Sequence, residues 1–219
     1  MGDWVLGPRS ITALVLAGGR SRRWGGRDKG LIPVDGVPMA LSALQRLQTQ
    51  AHEALAGVAI SANRHTDTYA QWGWPVWSDE EPEAFHGPLA GWQSGLRRCP
   101  TPWLLSVPCD SPDFPIDLID TLVHAQRQSQ ASLAVAASRH AHGLRTQAMF
   151  ALLHTDLLPS LDAYLDQGGR RVADWCEAQG PAWAIFDDTD PSAGAFANLN
   201  SAADAAQREQ GRWARSTQP

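Results

Sequence analysis

The feature that most constrains this chain is its alternation of short apolar runs with longer amphipathic segments. The apolar runs predict strands at Ile11–Leu16, Val58–Ser61, Pro75–Trp77, Trp103–Val107 and Leu133–Ala136, with later strands near Gln147–Ala151 and Trp183–Phe186. The amphipathic segments predict helices at Pro38–Ala51, Leu89–Arg98, Ile116–Gln128, Leu157–Asp166, Arg171–Glu177 and Ala202–Glu209. This alternation is typical of βαβ units, so we predict an α/β fold with a mostly parallel sheet.

Composition limits the chain to one compact domain. Its 219 residues are 43% hydrophobic and 19% charged, enough for one buried core. We expect an N-terminal extension at residues 1–10, one folded domain at 11–208 and a flexible tail at 209–219. The net charge of −5 argues against nucleic-acid binding, and no apolar run has membrane-spanning length. Three cysteines without CxxC spacing predict neither a disulfide framework nor a zinc site, and they favour the cytoplasm.

A glycine-rich basic loop follows the first predicted strand. Gly18 and Gly19 allow backbone N–H groups to approach an anion, and five basic residues lie between positions 20 and 29. Of the 18 basic side chains in the chain, one is lysine, and it is Lys29 in this loop. A compact ammonium can follow one phosphate oxygen as its charge changes, which a rigid guanidinium cannot do. The loop therefore predicts a phosphate site, although Gly30 after the lysine excludes a Walker A motif.

Asp110 is the strongest candidate metal ligand in the sequence. It follows the predicted strand Trp103–Val107 and therefore lies at the carboxyl end of that strand, where open α/β sheets bind ligands. A carboxylate there can hold Mg²⁺ that bridges to substrate phosphates. An aspartate before Ser111 and Pro112 can instead form a simple turn, so the local sequence alone leaves both readings open.

Five motifs in order give the chain a family resemblance. After Leu16-Ala-Gly-Gly in the first loop, these are Ile60-Ser-Ala-Asn-Arg64, Asp79 with Gly87-Pro-Leu-Ala-Gly91, Val107-Pro-Cys-Asp-Ser-Pro112, Gly169-Arg-Arg-Val172 and Phe196-Ala-Asn-Leu-Asn200. Together with Asp28-Lys29-Gly30-Leu31 they resemble nucleotidyltransferases, and most of all the molybdenum cofactor guanylyltransferases. The resemblance implies a single-domain, three-layer, Rossmann-like fold of the nucleotide-diphospho-sugar transferase type. Trp24 and Ser61 depart from the family pattern, where Met and Asn are usual.

The resemblance implies a set of site residues. Catalysis is assigned to Lys29, Arg23 and Asp110, with Mg²⁺ on Asp110. Nucleotide binding is assigned to Leu16, Ala17, Gly18, Gly19, Lys29, Ser61, Asn63, Asp79, Gly87 and Asp110. The molybdopterin side is assigned to Arg170, Arg171, Asn198 and Asn200. Asp79 suits guanine because a carboxylate can accept hydrogen bonds from both N1–H and the exocyclic amine. The alternative interpretation is that Asp79 is a solvated acid in a loop.

The implied reaction transfers GMP from GTP to the terminal phosphate of molybdopterin, which can carry molybdenum, and releases pyrophosphate. The alternatives are a CTP-using enzyme of the same fold, a nucleotidyltransferase acting on a sugar or polyol phosphate, or a carrier that binds molybdopterin without chemistry. The expected protein partners are transient ones that donate molybdopterin or mature molybdoenzymes. His140 and His142 are not expected to bind metal, because their neighbours read as a loop without a third ligand.

Overall fold

The computed structural model describes residues 4–17, 26–50, 52–79, 87–140, 143–187, 196–206 and 208. Nine strands lie in this part of the chain: β1 Ile11–Leu16, β2 Pro33–Val34, β3 Val37–Pro38, β4 Leu55–Ser61, β5 Val76–Trp77, β6 Trp103–Pro108, β7 Leu133–His140, β8 Gly143–His154 and β9 Ala182–Asp187. The α-helices are α1 Met39–Thr49, α2 Thr66–Ala70, α3 Pro88–Arg98, α4 Leu118–Ser129, α5 Leu158–Asp166 and α6 Val172–Ala178. Short 3₁₀ helices cover Lys29–Leu31 and Thr155–Leu157, and residues 202–206 are helical.

A seven-stranded sheet forms the centre of the molecule, in the order β5-β4-β1-β6-β8-β7-β9. β1 pairs in parallel with β4 and β6, and β4 with β5, while β7 pairs in parallel with β9. β8 runs antiparallel to both β6 and β7. The beginning of β8 therefore lies at the same sheet edge as the ends of the parallel strands.

Two hydrophobic cores lie on opposite faces of this sheet, because successive strand residues point to opposite sides. In β1, Ala13 and Val15 belong to one core and Leu14 to the other. The first core packs against α1, α2 and α4, and the second packs against α3, α5 and α6. This three-layer arrangement confirms the fold class expected from the sequence.

The start of the chain packs against the domain. Leu6 is buried in the first core, and the main-chain oxygens of Trp4 and Leu6 accept hydrogen bonds from Gln126 and Arg127 of α4. The expected tail from 209 to 219 lies outside the described residues. Where the chain is described, no helix combines the length and apolar character that crossing a membrane requires.

The β7–β8 hairpin differs from the sequence expectation. Ser138 and Arg139 were expected in a loop, but β7 continues to His140 and pairs with the start of β8. Polar residues occur in these strand ends because they extend past the buried part of the sheet, where Arg139 and His140 are exposed. The α2 helix was also not predicted. It has five residues and follows His65, whose main chain is in the left-handed conformation.

Candidate active site

A cavity of about 620 Å³ opens at the sheet edge where the parallel strands end. Its walls come from the ends of β1, β4 and β6, the start of α3, residues 145–150 of β8, and residues 198 and 200. The described lining residues are Leu16, Ala17, Lys29, Ser61, Asp79, Gly87, Pro88, Gly91, Pro108, Cys109, Asp110, Arg145, Thr146, Gln147, Ala148, Met149, Phe150, Asn198 and Asn200. This is where an open α/β sheet binds ligands.

Lys29 reaches two oxygen acceptors in this cavity. Its Nζ lies 2.7 Å from Oδ2 of Asp110 and 3.1 Å from Oδ1 of Asn200. The lysine side chain is 15% exposed and that of Asp110 24%, so the ion pair is largely shielded from solvent. Two segments far from Lys29 in sequence, those of Asp110 and Asn200, thus meet at its ammonium group.

The turn that carries Lys29 is fixed by Asp28. Asp28 caps the 3₁₀ helix, and its Oδ1 accepts hydrogen bonds from the Gly30 N–H at 3.1 Å and from the Tyr69 hydroxyl at 2.8 Å. Asp28 is buried and Tyr69, from α2, is fully buried. Burial and the nearby Asp28 charge raise the pKa of Tyr69 above its ordinary value, so its hydroxyl remains a donor.

Asp110 follows β6 and is tied to the segment after residue 196. Its main-chain oxygen accepts from the Leu199 N–H at 2.7 Å, and the hydroxyl of Ser111 bonds to Oδ1 of Asn198 at 2.5 Å. Its neighbour Cys109 is buried, and burial together with the Asp110 charge raises the pKa of that thiol. Cys109 is therefore a neutral packing group beside the carboxylate.

Asn200 is held by a capping carboxylate. Oδ2 of Asp204 accepts from the N–H groups of Asn200 at 2.7 Å and Ser201 at 2.9 Å. These backbone hydrogen bonds, the one from Asn200 foremost, lower the pKa of Asp204. The main chain that presents Asn200 to Lys29 is consequently fixed at the cavity wall.

Asp79 is oriented by two side chains. Nδ2 of Asn63 donates to its Oδ2 at 2.7 Å, and the Asp79 N–H donates to Oδ1 of Asn63 at 2.8 Å. The Ser94 hydroxyl, on α3, donates to its Oδ1 at 3.3 Å. Each carboxylate oxygen has capacity for a further donor. Asn63 is not among the residues that line the cavity, but it positions Asp79, which is.

The start of α3 lies at the cavity because this helix packs very close to the sheet. A Cβ at Gly91 would lie 2.9 Å from Cδ2 of Leu16, and one at Gly95 would lie 2.6 Å from Cδ2 of Leu14. Gly87, the N-cap, has φ of +77°, a conformation that favours glycine. The N-terminal end of an α-helix favours an anion, and here that end faces the cavity. Pro88 at the first helical position has no N–H, and the Ala90 N–H donates to the Gly87 oxygen at 3.2 Å, so few main-chain donors of this turn are left for a ligand.

Another part of the wall is formed where β8 leaves its neighbours. Pairing with β6 stops at Ser106 and Ala151, and pairing with β7 jumps from Val135–Ala151 to Ala136–Gln147. The three residues 148–150 therefore form a bulge, and all of them line the cavity. The sequence predicted a strand here but gave no signal for a site, because a bulge depends on which strands pair.

The structure places most expected site residues together. Leu16, Ala17, Lys29, Ser61, Asp79, Gly87, Asp110, Asn198 and Asn200 all line the cavity. Gly18, Gly19 and Arg23, with the atypical Trp24, lie outside the described residues. Arg170 and Arg171 do not line the cavity: Arg170 donates to the main-chain oxygens of Leu165 and Gly169, and Arg171 pairs with Asp174.

Within the described ranges, no cluster of three or more His, Cys, Asp or Glu side chains has the arrangement of a metal centre. The oxygen atoms of Asp110 and Asn200 nevertheless converge on the Lys29 ammonium from two distant segments of the sequence. Two such oxygen atoms suit a cation, such as Mg²⁺, that binds one or two protein oxygens and completes its coordination shell with phosphate and water.

Comparison with known proteins agrees with this geometry. Residues 13–181 match the family model of the MobA-like NTP transferase domain. The chain is 45% identical over 197 residues to a molybdenum cofactor guanylyltransferase of Bordetella petrii, covering 90% of this chain and 96% of that one. It is 44% identical over 192 residues to the protein of the same name from Cupriavidus taiwanensis, covering 87% and 92% of the two chains.

Two solved structures share the fold at low identity. Molybdopterin-guanine dinucleotide biosynthesis protein A from Archaeoglobus fulgidus superposes with a TM-score of 0.69 at 15% identity, covering 93% of this chain and 99% of that one. A CMP:2-keto-3-deoxy-manno-octonic acid synthetase in complex with CTP has a TM-score of 0.73 at 12% identity, covering 94% and 99%. These likenesses support the three-layer fold described above.

Proposed function

Because the chain belongs to the MobA-like NTP transferase family, we propose that it transfers GMP from GTP to the terminal phosphate of molybdopterin, with or without bound molybdenum. The products are the guanine dinucleotide form of the cofactor and pyrophosphate. The observation that carries the proposal is the convergence of Lys29, Asp110 and Asn200 in a cavity next to the start of α3. Relatives that cover most of this chain are named for this activity.

The nucleotide is proposed to bind between Asp79 and the start of α3. Asp79 is held by Asn63 and Ser94 and retains acceptor capacity for the N1–H and amino group of guanine. Ser61, buried at the end of β4, can supply one further hydrogen bond. Adenine lacks this pair of adjacent donors, so the arrangement favours guanine. The phosphates then extend toward Gly87, Lys29 and the glycine-rich loop, for which Gly18, Gly19 and Arg23 remain proposed contacts.

The residues present fit Mg²⁺, as the oxygen atoms around the Lys29 ammonium indicate. Asp110 would hold it, with the side-chain oxygen of Asn200 within reach of the same point. When bound, Mg²⁺ would neutralise charge on the substrate phosphates. Lys29 would in that state turn from Asp110 toward a phosphate oxygen, a change that its flexible stem permits.

The chemistry requires positioning and charge rather than a protein nucleophile. An oxygen of the molybdopterin phosphate attacks the α-phosphorus of GTP, and the bond from that phosphorus to the β-phosphate oxygen breaks. Lys29, with Arg23 as a proposed second cation, would stabilise the charge that develops on the transferred group and on pyrophosphate. The attacking oxygen is already anionic at neutral pH, so no histidine base is needed.

The acceptor is proposed to lie against Asn198, Asn200 and the part of the wall formed by β8, which all line the cavity. Arg170 and Arg171 stay candidates for its anionic groups, although neither lines the cavity. Protein partners that donate molybdopterin or receive the product remain proposals. A cytoplasmic location is also proposed, because all three cysteines are free.

Pyrophosphate release tests the function directly. The protein is incubated with Mg²⁺ and GTP, CTP, ATP or UTP in turn, with and without molybdopterin. We expect release with GTP and molybdopterin together. Release with CTP in place of GTP would identify a cytidylyltransferase, release dependent on a sugar or polyol phosphate would identify another member of the fold, and GTP binding without release would identify a carrier.

A further inference from the structure

We propose that Tyr69 is a positioning residue for Lys29 and acts through Asp28. The inference rests on the proposed function, because it takes Lys29 as the side chain that contacts the transferred phosphate. Tyr69 belongs to α2, is fully buried, and has no place among the residues that line the cavity. Its effect on the reaction must therefore pass through another residue.

The connection consists of one shared oxygen atom. Oδ1 of Asp28 accepts from the Tyr69 hydroxyl at 2.8 Å and from the Gly30 N–H at 3.1 Å. Lys29 lies between Asp28 and Gly30 in sequence, so the main chain on both sides of it is held by the Asp28 carboxylate. The direction in which the lysine side chain leaves the turn is thereby set toward Asp110 and Asn200.

The hydroxyl, rather than the ring, is the part of Tyr69 that does this. The ring packs edge-on against Trp72 at a centroid distance of 5.1 Å, a contact that phenylalanine would keep. Removing the hydroxyl leaves Asp28 buried with one donor fewer, so the carboxylate can rotate or admit water. Tyr69→Phe therefore tests positioning while preserving the core.

Gly30 gives an independent way to disturb the same contact. A Cβ at Gly30 would lie 2.4 Å from the Tyr69 oxygen, whereas the next nearest atoms, the Cβ atoms of Ala17 and Ala40, would lie at 3.1 and 3.2 Å. An alanine at position 30 must therefore displace the hydroxyl. Without that oxygen the remaining contacts, with the Cβ atoms of Ala17 and Ala40, require only small shifts, so Gly30→Ala and Tyr69→Phe should not have fully additive effects.

The lone lysine provides a direct spectroscopic probe. Protein labelled with ¹³C and ¹⁵N at lysine gives one set of side-chain signals, those of Lys29. We expect Tyr69→Phe to shift or broaden the Lys29 Cε signal in the folded protein. Tyr164→Phe is the matched control, because it removes the same atom from the other tyrosine of the chain, whose hydroxyl donates to the main-chain oxygen of Arg171. The control should leave the Lys29 signal unchanged.

Kinetics gives the second readout. Tyr69→Phe should lower kcat about tenfold to a hundredfold while the KM for GTP changes less than about twofold, because a misplaced catalytic group affects the transition state more than ground-state binding. Gly30→Ala should lower kcat similarly, and the double variant should be no worse than Gly30→Ala alone. Tyr164→Phe should keep the wild-type kcat.

A folded Tyr69→Phe protein with an unchanged Lys29 signal or the wild-type kcat would overturn the inference, as would additive losses in the double variant. If Tyr69→Phe does not fold, Gly30→Ala decides through the same two readouts. Absence of pyrophosphate release from the wild-type protein would refute the proposed function instead, and the Lys29 signal would still show whether Tyr69 positions that side chain.

Discussion

Replacement of Lys29 gives the strongest test of the charge arrangement at the cavity. Its ammonium is 2.7 Å from the Asp110 carboxylate, a distance at which two unit charges interact by about 6 kcal/mol at an effective dielectric constant of about 20. The net contribution to the folded protein is much smaller, because both charges lose hydration on burial. A substrate phosphate that replaces Asp110 as the partner of the Lys29 ammonium is stabilised by the same preorganised positive charge.

The expected loss of activity follows from this preorganisation. Removing one fixed charge contact to a developing anion costs about 2–4 kcal/mol of transition-state stabilisation, so Lys29→Ala should lower kcat/KM by about 30-fold to 900-fold. Lys29→Arg should also lose at least about tenfold, because a rigid guanidinium cannot follow one phosphate oxygen as its charge changes, whereas a compact ammonium can. Arg139→Ala, which breaks the exposed pair with Asp187, is the control and should keep wild-type activity.

The assay is pyrophosphate release at fixed molybdopterin and varied GTP, after circular dichroism has established that each variant is folded. A folded Lys29→Ala protein with wild-type kcat/KM would refute the role of the ammonium. Full activity of Lys29→Arg would refute the narrower argument that a compact cation is required at this position.

Three other predictions concern specificity, pH and thiol chemistry. Asp79→Asn should raise the KM for GTP by about tenfold or more through loss of a charge-assisted pair, and an unchanged KM would remove Asp79 from base recognition. Burial lowers the pKa of His154, so the unfolded chain binds its proton more readily. The free energy of unfolding should therefore fall as pH drops below about 6.5, and less steeply in His154→Gln, which parallel denaturant titrations would measure. Burial raises the pKa of Cys176 to about 12 and also raises that of Cys109, so a disulfide reagent at pH 8 should modify the half-buried Cys99 first. Equal rates for all three thiols before unfolding would contradict the buried environments.

The central strands were predictable because continuous apolar runs in the sequence indicate buried strands. Ile11–Leu16 was predicted with the bounds that the structure gives, and β4 and β6 differ by a few residues at one end. A parallel strand that is buried on both faces does not alternate polar and apolar residues, so its unbroken apolar run is a strong signal. The position of Asp110 at a strand end followed from the same reasoning.

Short elements were missed because their stability comes from contacts rather than periodicity. The β2–β3 hairpin has two residues per strand and turns through Asp35 and Gly36, both with positive φ. The Asp-Gly pair is a recognised hairpin signal and was available in the sequence. The α2 helix offers no comparable signal, since five residues are too few for an amphipathic pattern.

Contacts between distant residues were beyond the reach of sequence patterns. The bond from Tyr69 to Asp28 joins residues 41 positions apart, and neither belongs to a spacing that predicts contact. The same holds for Ser94 on Asp79 and for the bulge in β8. The motifs included Asp28 and Asn63, but they gave no indication that these two side chains orient Lys29 and Asp79. That information emerges from the packing of elements.

The antiparallel direction of β8 has a consequence for how the two substrate sites can diverge. Because this strand starts at the cavity, the proposed acceptor wall is built from residues 145–150, 198 and 200, whereas the proposed nucleotide contacts lie before residue 111. Most of the nucleotide side and most of the acceptor side are therefore encoded by separate stretches of chain, and Asn200, which accepts from Lys29, joins the two. Mutations in β8 can change the acceptor wall while the residues before 111 stay the same.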